Sequence, residues 1–190
     1  LSYFNIEQDK KYIIPMIKDA QAYLGDDFFL FASPWSPPAF MKDNESVFRG
    51  GSLKEEYKEC WARYYAKYIK AMAEEGITIS AISIQNEPLA RQSWESCYYS
   101  PDDEREFIEK YLSPVLDDEG LSDIKIIIWD HNKERVYERA RDTLANPAFK
   151  DDDGNLLLFD AIVANMPFSK DKWAAGFNPG GEAVGKGVKE

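Results

Sequence analysis

The chain has 190 residues, of which 44% are hydrophobic, 14% aromatic and 30% charged, a composition typical of a globular domain. Its 23 Lys and Arg residues against 34 Asp and Glu residues give a formal charge of −11, which repels phosphate backbones, so no nucleic-acid partner is expected. No apolar run approaches the roughly 20 residues of a transmembrane helix, so no membrane span is expected either.

Few residues suited to metal or redox chemistry occur in the chain. Cys60 and Cys97 can form at most one disulfide and lack a C-x-x-C spacing, which favours buried free thiols. His131 is the only histidine, which argues against a zinc site built from several histidines. The sequence offers no site for a metal or organic cofactor. Because the chain opens with Leu1, we expect it to start inside a longer protein; secreted and cytoplasmic locations both fit, and the oligomeric state is undetermined.

Helical and strand-like periods alternate from the start of the chain. Apolar residues at helical spacing predict a helix over 8–24, ended by Gly25, with Pro15 in its first turn or at a kink. The continuous apolar run 28–32 predicts a strand covered on both faces, as in parallel sheets. A loop rich in Pro, Ser and Gly follows over 33–52.

The middle of the chain repeats this order. A long amphipathic helix is predicted over 53–75, and its aromatic stripe is expected to belong to the core. The β-branched run 77–84 predicts the next strand. A further helix is predicted to start at Ser100, and Pro114 is expected to bend it.

The last predicted elements are a strand over 124–129, a polar helix over 133–144 and a strand over 156–164. The four predicted strands start 49, 47 and 32 positions apart, which fits successive β/α units. No Gly-rich phosphate loop follows any strand, which favours a closed barrel over an open doubly wound sheet. Since an eight-stranded barrel usually needs about 250 residues, we expect an α/β fold that is a partial TIM (β/α)8 barrel at 1–168, with a Gly-rich, loosely ordered tail at 169–190.

Functional groups of a β/α barrel collect where the strands end, because the loops there form a cup above a packed interior. Three segments carry such groups: Ser33-Pro34-Trp35, Asn86-Glu87-Pro88 and Asp130-His131-Asn132. Glu87 is the sharpest candidate, since partial removal from water favours the protonated form of a carboxyl group and suits a general acid. Spacing alone leaves open that Glu87 only caps a backbone or pairs with Arg91.

The other candidates also have two interpretations. Trp35 fits a platform for a sugar ring as well as it fits rim packing against Pro37 and Pro38. Asp130 and His131 fit groups that orient a substrate or a catalytic carboxyl, although an Asp-His-Asn turn more commonly just starts a loop and caps a helix.

Several motifs occur in a fixed order over residues 3–150. They are Phe4-Asn5-Ile6-Glu7-Gln8-Asp9, Ile13-Ile14-Pro15, Ala32-Ser33-Pro34-Trp35-Ser36-Pro37-Pro38, Met41-Lys42-Asp43-Asn44, Gly51-Ser52-Leu53, Trp61-Ala62-Arg63-Tyr64, Gln85-Asn86-Glu87-Pro88, Ser96-Cys97-Tyr98 and Trp129-Asp130-His131-Asn132. In this combination the chain resembles family 30 of the glycoside hydrolases, which includes glucosylceramidases and β-1,6-glucanases.

The resemblance implies a retaining O-glycoside hydrolase for β-glucosidic or related β-glycosidic bonds, with a carbohydrate or glycolipid substrate and no metal or organic cofactor. Glu87 would be the acid/base, and Asn86 would hydrogen-bond the sugar 2-hydroxyl. Trp35 would lie in the subsite beside the scissile bond. Asp130, and more weakly His131, match positions near the substrate.

The chain also departs from the family pattern. A retaining enzyme needs a second carboxylate as nucleophile, about 5–5.5 Å from the first, and the family carries it on the seventh strand. The sequence shows no counterpart, and 160–168 lacks the aromatic segment of the family's sixth strand. We therefore expect an incomplete barrel, roughly strands 2 or 3 to 6, that lacks the nucleophile. The alternatives are a non-catalytic carbohydrate-binding relic and a frameshifted reading from about residue 155.

Overall fold

A computed structural model describes residues 1–25, 28–136, 138, 139 and 142. The α-helices and strands among them are α1 (Glu7–Lys11), α2 (Ile13–Leu24), β1 (Phe31–Ala32), α3 (Lys58–Glu74), β2 (Ala81–Ser83), α4 (Pro101–Phe107), α5 (Ser113–Asp118) and β3 (Lys125–Ile127). Short 3-10 helices lie at Ala39–Met41, Glu55–Tyr57 and Lys133–Arg135, and a π-helical turn lies at Ile108–Leu112. None of the helices in these ranges is long and apolar enough to cross a membrane.

The described strands form one parallel sheet in the order β1-β2-β3. Ile82 of β2 lies opposite Ala32 on one side and opposite Ile126 on the other. The chain passes through α3 between β1 and β2, and through α4 and α5 between β2 and β3. Strand order that follows chain order, with helices in the connections, is the arrangement of successive β/α units and confirms the α/β prediction.

The core forms around the buried face of α3. Trp61, Tyr65, Ile69 and Met72 recur every three or four positions, and all four are buried. The Phe107 ring of α4 lies 6.0 Å from the ring of Tyr65, which joins the two connecting helices. The predicted aromatic stripe packs as expected at Trp61, which is buried, whereas Tyr57, Tyr64 and Tyr68 are only partly buried against the core.

The predicted helix over 8–24 is broken in two. Tyr12, with φ of −131° and ψ of −53°, separates α1 from α2. Pro15 occupies the first turn of α2, where a missing N–H has no helical partner to lose. Gly25 ends α2 at a φ of 71°, as predicted, in a conformation that favours glycine.

The other predicted elements are shorter or more irregular than the sequence indicates. All three strands are shorter than the apolar runs that predict them, because the strands pair only where they overlap in register. The expectation that the first run is covered on both faces is wrong, since Phe29 is 55% and Phe31 37% exposed among the described residues. A capping box of Ser100 and Asp103 starts α4 as predicted. Instead of a simple bend, a π-helical turn precedes Pro114, which has no N–H for the helical ladder. Most of the predicted helix over 133–144, all of the strand over 156–164 and the tail lie outside the described residues.

Candidate active site

The chain segments that leave the three strands are hydrogen-bonded to one another. The Asn86 N–H donates to the Pro34 carbonyl at 2.9 Å, and the Glu87 N–H donates to the Asp130 carbonyl at 2.7 Å. Because the strands are parallel, these segments emerge at the same end of the sheet, beyond the carboxyl ends of the strands. We call residues 33–35, 85–87 and 129–131 the strand-end site. It brings together all five predicted site residues: Trp35, Asn86, Glu87, Asp130 and His131.

Glu87 has an unusual backbone at the centre of this site. Its φ is 46°, in the left-handed region that a residue with a side chain rarely adopts, at a cost of about 1–3 kcal/mol. Two hydrogen bonds hold it there: its N–H donates to Asp130, and its carbonyl accepts from Ala90 at 2.7 Å. Strain of this kind clusters at active sites.

The Glu87 side chain is half-buried. Within the described residues no ion pair includes it, and the guanidinium of Arg91 lies instead over the ring of Tyr98, 4.9 Å from its centroid. The pairing with Arg91 that the sequence leaves open is therefore not formed.

Asp130 joins the three strand ends. Besides its carbonyl bond to Glu87, its carboxylate accepts a hydrogen bond from the Ser33 hydroxyl. Ser33 in turn lies 3.4 Å, oxygen to oxygen, from Ser83 at the end of β2. Asp130 is 3% exposed, so these contacts are sheltered from water.

Hydrogen bonding holds the backbone of Trp35 in place, while its side chain is exposed. The buried side-chain amide of Gln85 donates to the Trp35 carbonyl at 2.7 Å and to the Asn86 carbonyl at 2.9 Å. Half of Trp35 is exposed, whereas Pro37 is buried. The chain position is thus fixed while part of the indole is accessible to a ligand.

His131 lies against the side chain of Trp129. The two rings are nearly parallel, 4.9 Å apart with an interplanar angle of 13°. The Asn132 N–H donates to Nδ1 of His131 at 2.7 Å, so the proton of the neutral ring belongs on Nε2. Burial lowers the pKa of His131, and the negative charge of Glu87 opposes that shift.

Residues 1–152 match the family model described as the glycosyl hydrolase family 30 TIM-barrel domain. The chain belongs to glycoside hydrolase family 30. This confirms the resemblance drawn from the motifs, and it places the α/β sheet in a TIM-barrel domain.

Two similar proteins and one solved structure show the range of this family. Lysosomal acid glucosylceramidase of Mus musculus is 31% identical over 156 residues, which cover 77% of this chain and 30% of that protein. Endo-1,6-beta-D-glucanase of Neurospora crassa is 38% identical over 111 residues, covering 56% and 23%. The crystal structure of SrfJ from Salmonella typhimurium superimposes with a TM-score of 0.73 at 38% identity, covering 77% and 33%. The chain therefore spans a third or less of the length of these relatives.

A buried ion pair next to the strand-end site was not predicted from the sequence. Glu104 of α4 and Arg139 approach to 3.1 Å, with 1% and 4% of their side chains exposed. Burial raises the pKa of Glu104, while Arg139 opposes the shift. A sequence signal existed for one partner, because Glu104 lies three and four positions before the buried Phe107 and Ile108 on one helix face.

The burial of a second cation, Lys42, was likewise not predicted from the sequence. Its ammonium group donates to the Ser96 carbonyl at 2.6 Å and to the Ser36 hydroxyl at 3.1 Å, which fastens the loop after β1 to the loop after β2. Burial lowers the pKa of Lys42. Cys60 and Cys97 are both free thiols, but only Cys97 is buried as predicted, whereas Cys60 is partly exposed. Burial raises the pKa of Cys97 to about 12, so that thiol is a poor nucleophile.

Proposed function

We propose that this chain carries the acid/base of a retaining O-glycoside hydrolase that cleaves β-glucosidic or related β-glycosidic bonds. The observation that carries the proposal is the half-buried Glu87 at the end of β2, held by backbone bonds and outside every described ion pair. Its carboxyl group protonates the glycosidic oxygen as the sugar leaves. The resulting carboxylate then accepts a proton from the water that completes hydrolysis.

The neighbouring residues have distinct roles in this proposal. Asn86, 7% exposed, hydrogen-bonds the 2-hydroxyl of the sugar, and the exposed indole of Trp35 stacks on its C–H face. Asp130 and His131 orient the substrate and the acid/base. The names of the relatives in mouse and Neurospora crassa support glucosylceramide or a β-1,6-glucan as the substrate, that is, a glycolipid or a carbohydrate.

The proposal assigns no nucleophile to these 190 residues. A retaining reaction needs a second carboxylate about 5–5.5 Å from the acid/base, and no sequence counterpart of the family's nucleophile is found. We take residues 1–168 to form part of the barrel, roughly strands 2 or 3 to 6, and 169–190 to form its tail.

A second candidate function is carbohydrate binding without catalysis. The half-exposed Trp35 and the buried Asn86 are groups that bind sugar without any need of a nucleophile. In this case the strand-end site takes up a glycoside and leaves its bond intact.

The acid/base assignment is tested by introducing Glu87→Gln into the protein of which this chain is part. We expect hydrolysis of glucosides with poor leaving groups to fall by about 10²–10⁴-fold, because Gln keeps the shape but cannot donate the proton. Activated aryl glucosides should lose less in the first step, since their leaving groups need little protonation. Glu45→Gln is the matched control, because Glu45 also has a positive φ, of 50°, and its side chain is 81% exposed.

The two functions give different results. An equal change on both substrate classes would contradict Glu87 as the acid/base. Isothermal titration with glucosides, run beside the hydrolysis assay on the unmodified protein, separates the candidates: binding without turnover supports the carbohydrate-binding function.

A further inference from the structure

The Glu104–Arg139 ion pair is buried at a high cost in desolvation free energy. Removing two charges from water costs several kcal/mol, and apolar residues of similar volume are often as stabilising as a buried ion pair. Its side chains are 1% and 4% exposed, so neither charge is solvated. The contacts that the pair makes around the strand-end site therefore matter more than its contribution to stability.

Each partner binds the backbone beside one strand end. Oε1 of Glu104 accepts from the Trp129 N–H at 3.3 Å, immediately before Asp130. Nη2 of Arg139 donates to the Tyr99 carbonyl at 2.8 Å, and the Tyr99 N–H donates to the Pro88 carbonyl at 2.8 Å. One partner thus contacts the segment after β3, and the other is connected to the residue that follows Glu87.

These contacts stabilise an unfavourable backbone conformation at Trp129. Its φ is 55°, a left-handed conformation that is unfavourable for a large side chain. The Glu104 carboxylate fixes its N–H, and the Arg139 guanidinium lies 5.4 Å from the centroid of its ring. That ring contacts His131, and the next carbonyl along the chain accepts from Glu87.

We propose that Glu104 and Arg139 are positioning residues that hold Trp129 in its left-handed conformation, from which Asp130 and His131 are aligned with Glu87. This inference rests on the proposed function of Glu87. The pair acts through Trp129 rather than on the substrate. A small displacement of the strand end would misplace the acid/base, and misplacement by about 1 Å can cost roughly 10²-fold in rate.

Two double variants separate positioning from stability. Glu104→Met with Arg139→Met removes both charges and the acceptor for the Trp129 N–H. Glu104→Gln with Arg139→Met is also neutral but keeps a carbonyl oxygen as that acceptor. We expect both to unfold cooperatively near the wild-type temperature, because no buried charge is left alone. We expect the first to lose about tenfold or more in kcat with KM little changed. The second should recover only part of that loss, because it keeps the acceptor for the Trp129 N–H but still lacks Arg139.

The His131 titration is a readout that does not need turnover. The Cε1 proton of His131 gives one NMR signal whose shift follows the protonation of the ring, and His131→Gln identifies that signal by its loss. Glu87, Asp130, Glu134 and Arg139 are the charged groups that act on it. Both double variants lack Arg139, so a difference in His131 pKa between them reports a change in its position relative to the three carboxylates.

Equal kcat and equal His131 titration in the two double variants would overturn the proposal and leave the pair as a structural feature. A difference in titration supports positioning even if Glu87→Gln proves to be without effect, a result that would remove the proposed function instead. If the double Met variant fails to fold, Arg139→Lys replaces it, since Lys keeps the charge and loses the fork that reaches Tyr99. A lower kcat at unchanged melting temperature then supports the proposal, and an unchanged kcat contradicts it.

Discussion

The strand-end site contains buried polar side chains, whereas the outer edge formed by α2 and β1 is apolar and exposed. Gln85 is fully buried and Asp130 is 3% exposed, while Tyr23, Met16 and Phe29 are 94%, 62% and 55% exposed. An open groove of about 430 Å³, lined largely by apolar side chains, runs along this edge between α2, β1 and α3.

The two regions depend on different forces. Hydrogen bonds are directional, so the geometry of the strand-end site depends on individual atoms such as the Asp130 carbonyl. Apolar burial is non-directional and proportional to area, so the exposed face of the outer edge gains little from any single side chain. Single substitutions should therefore have large effects at the strand ends and small effects at the edge.

The largest loss of stability is expected for Arg139→Met. The change leaves the buried Glu104 carboxylate without its cation, which should lower the free energy of unfolding at neutral pH by about 3–5 kcal/mol. Arg135→Met is the control, since Arg135 and Glu138 form an ion pair with more than 60% of each side chain exposed, and such pairs contribute about 0–1 kcal/mol. Chemical denaturation of both variants measures the difference.

The same variant should show a specific pH dependence. Burial already raises the pKa of Glu104 in the folded protein, and loss of Arg139 removes the group that opposes the shift. A folded-state pKa above the unfolded value means that the folded protein binds the proton more tightly, so stability falls as pH rises above the unfolded value. The deficit of Arg139→Met should therefore be larger at pH 7 than at pH about 4. A deficit that is the same at both pH values would contradict this explanation.

A smaller effect is expected for Tyr65→Phe. The Tyr65 hydroxyl donates to the Ile84 carbonyl at 2.6 Å, just before the strand-end site, and its loss leaves a buried acceptor unsatisfied. We expect a cost of about 1–3 kcal/mol in the free energy of unfolding. Tyr68→Phe on the same helix is the matched control: its hydroxyl bonds Asp9 at 3.2 Å, and that half-buried carboxylate can bind water instead. Equal costs for the two variants would show that Ile84 finds another donor.

Sequence periodicity predicts the parts of the fold that depend on burial. The α3 stripe is correct because the helical period reports directly which side chains face the core. The order of β/α units is correct for the same reason. Strand lengths are too long, since apolar composition cannot show where the neighbouring strand begins. The break at Tyr12 and the π-helical turn before Pro114 depend on local backbone geometry that periodicity averages out.

Some features of the strand-end site could likewise be predicted from the sequence, and others could not. Trp35, Glu87 and Asp130 could be predicted because each lies within three residues of the end of an apolar run and stands in a family motif. The pairing of Glu104 with Arg139 could not, since it joins residues 35 positions apart. The left-handed Glu87 and Trp129 could not be predicted either, because non-local hydrogen bonds override the local preference of their backbones.

The smallest effect is expected at the outer edge, for Met16→Gln. Met16 is 62% exposed on α2, so a polar side chain of similar length should change the free energy of unfolding by no more than about 0.5 kcal/mol. The adjacent Ile17 is 7% exposed, and Ile17→Val, which removes one methyl group, should cost about 0.5–1.5 kcal/mol. Thermal denaturation of the pair in the same buffer compares two faces of one helix. If Met16→Gln costs as much as Ile17→Val, the exposed face of α2 is covered in the folded protein in solution, and the contrast between the polar strand ends and the apolar edge is smaller than the described residues indicate.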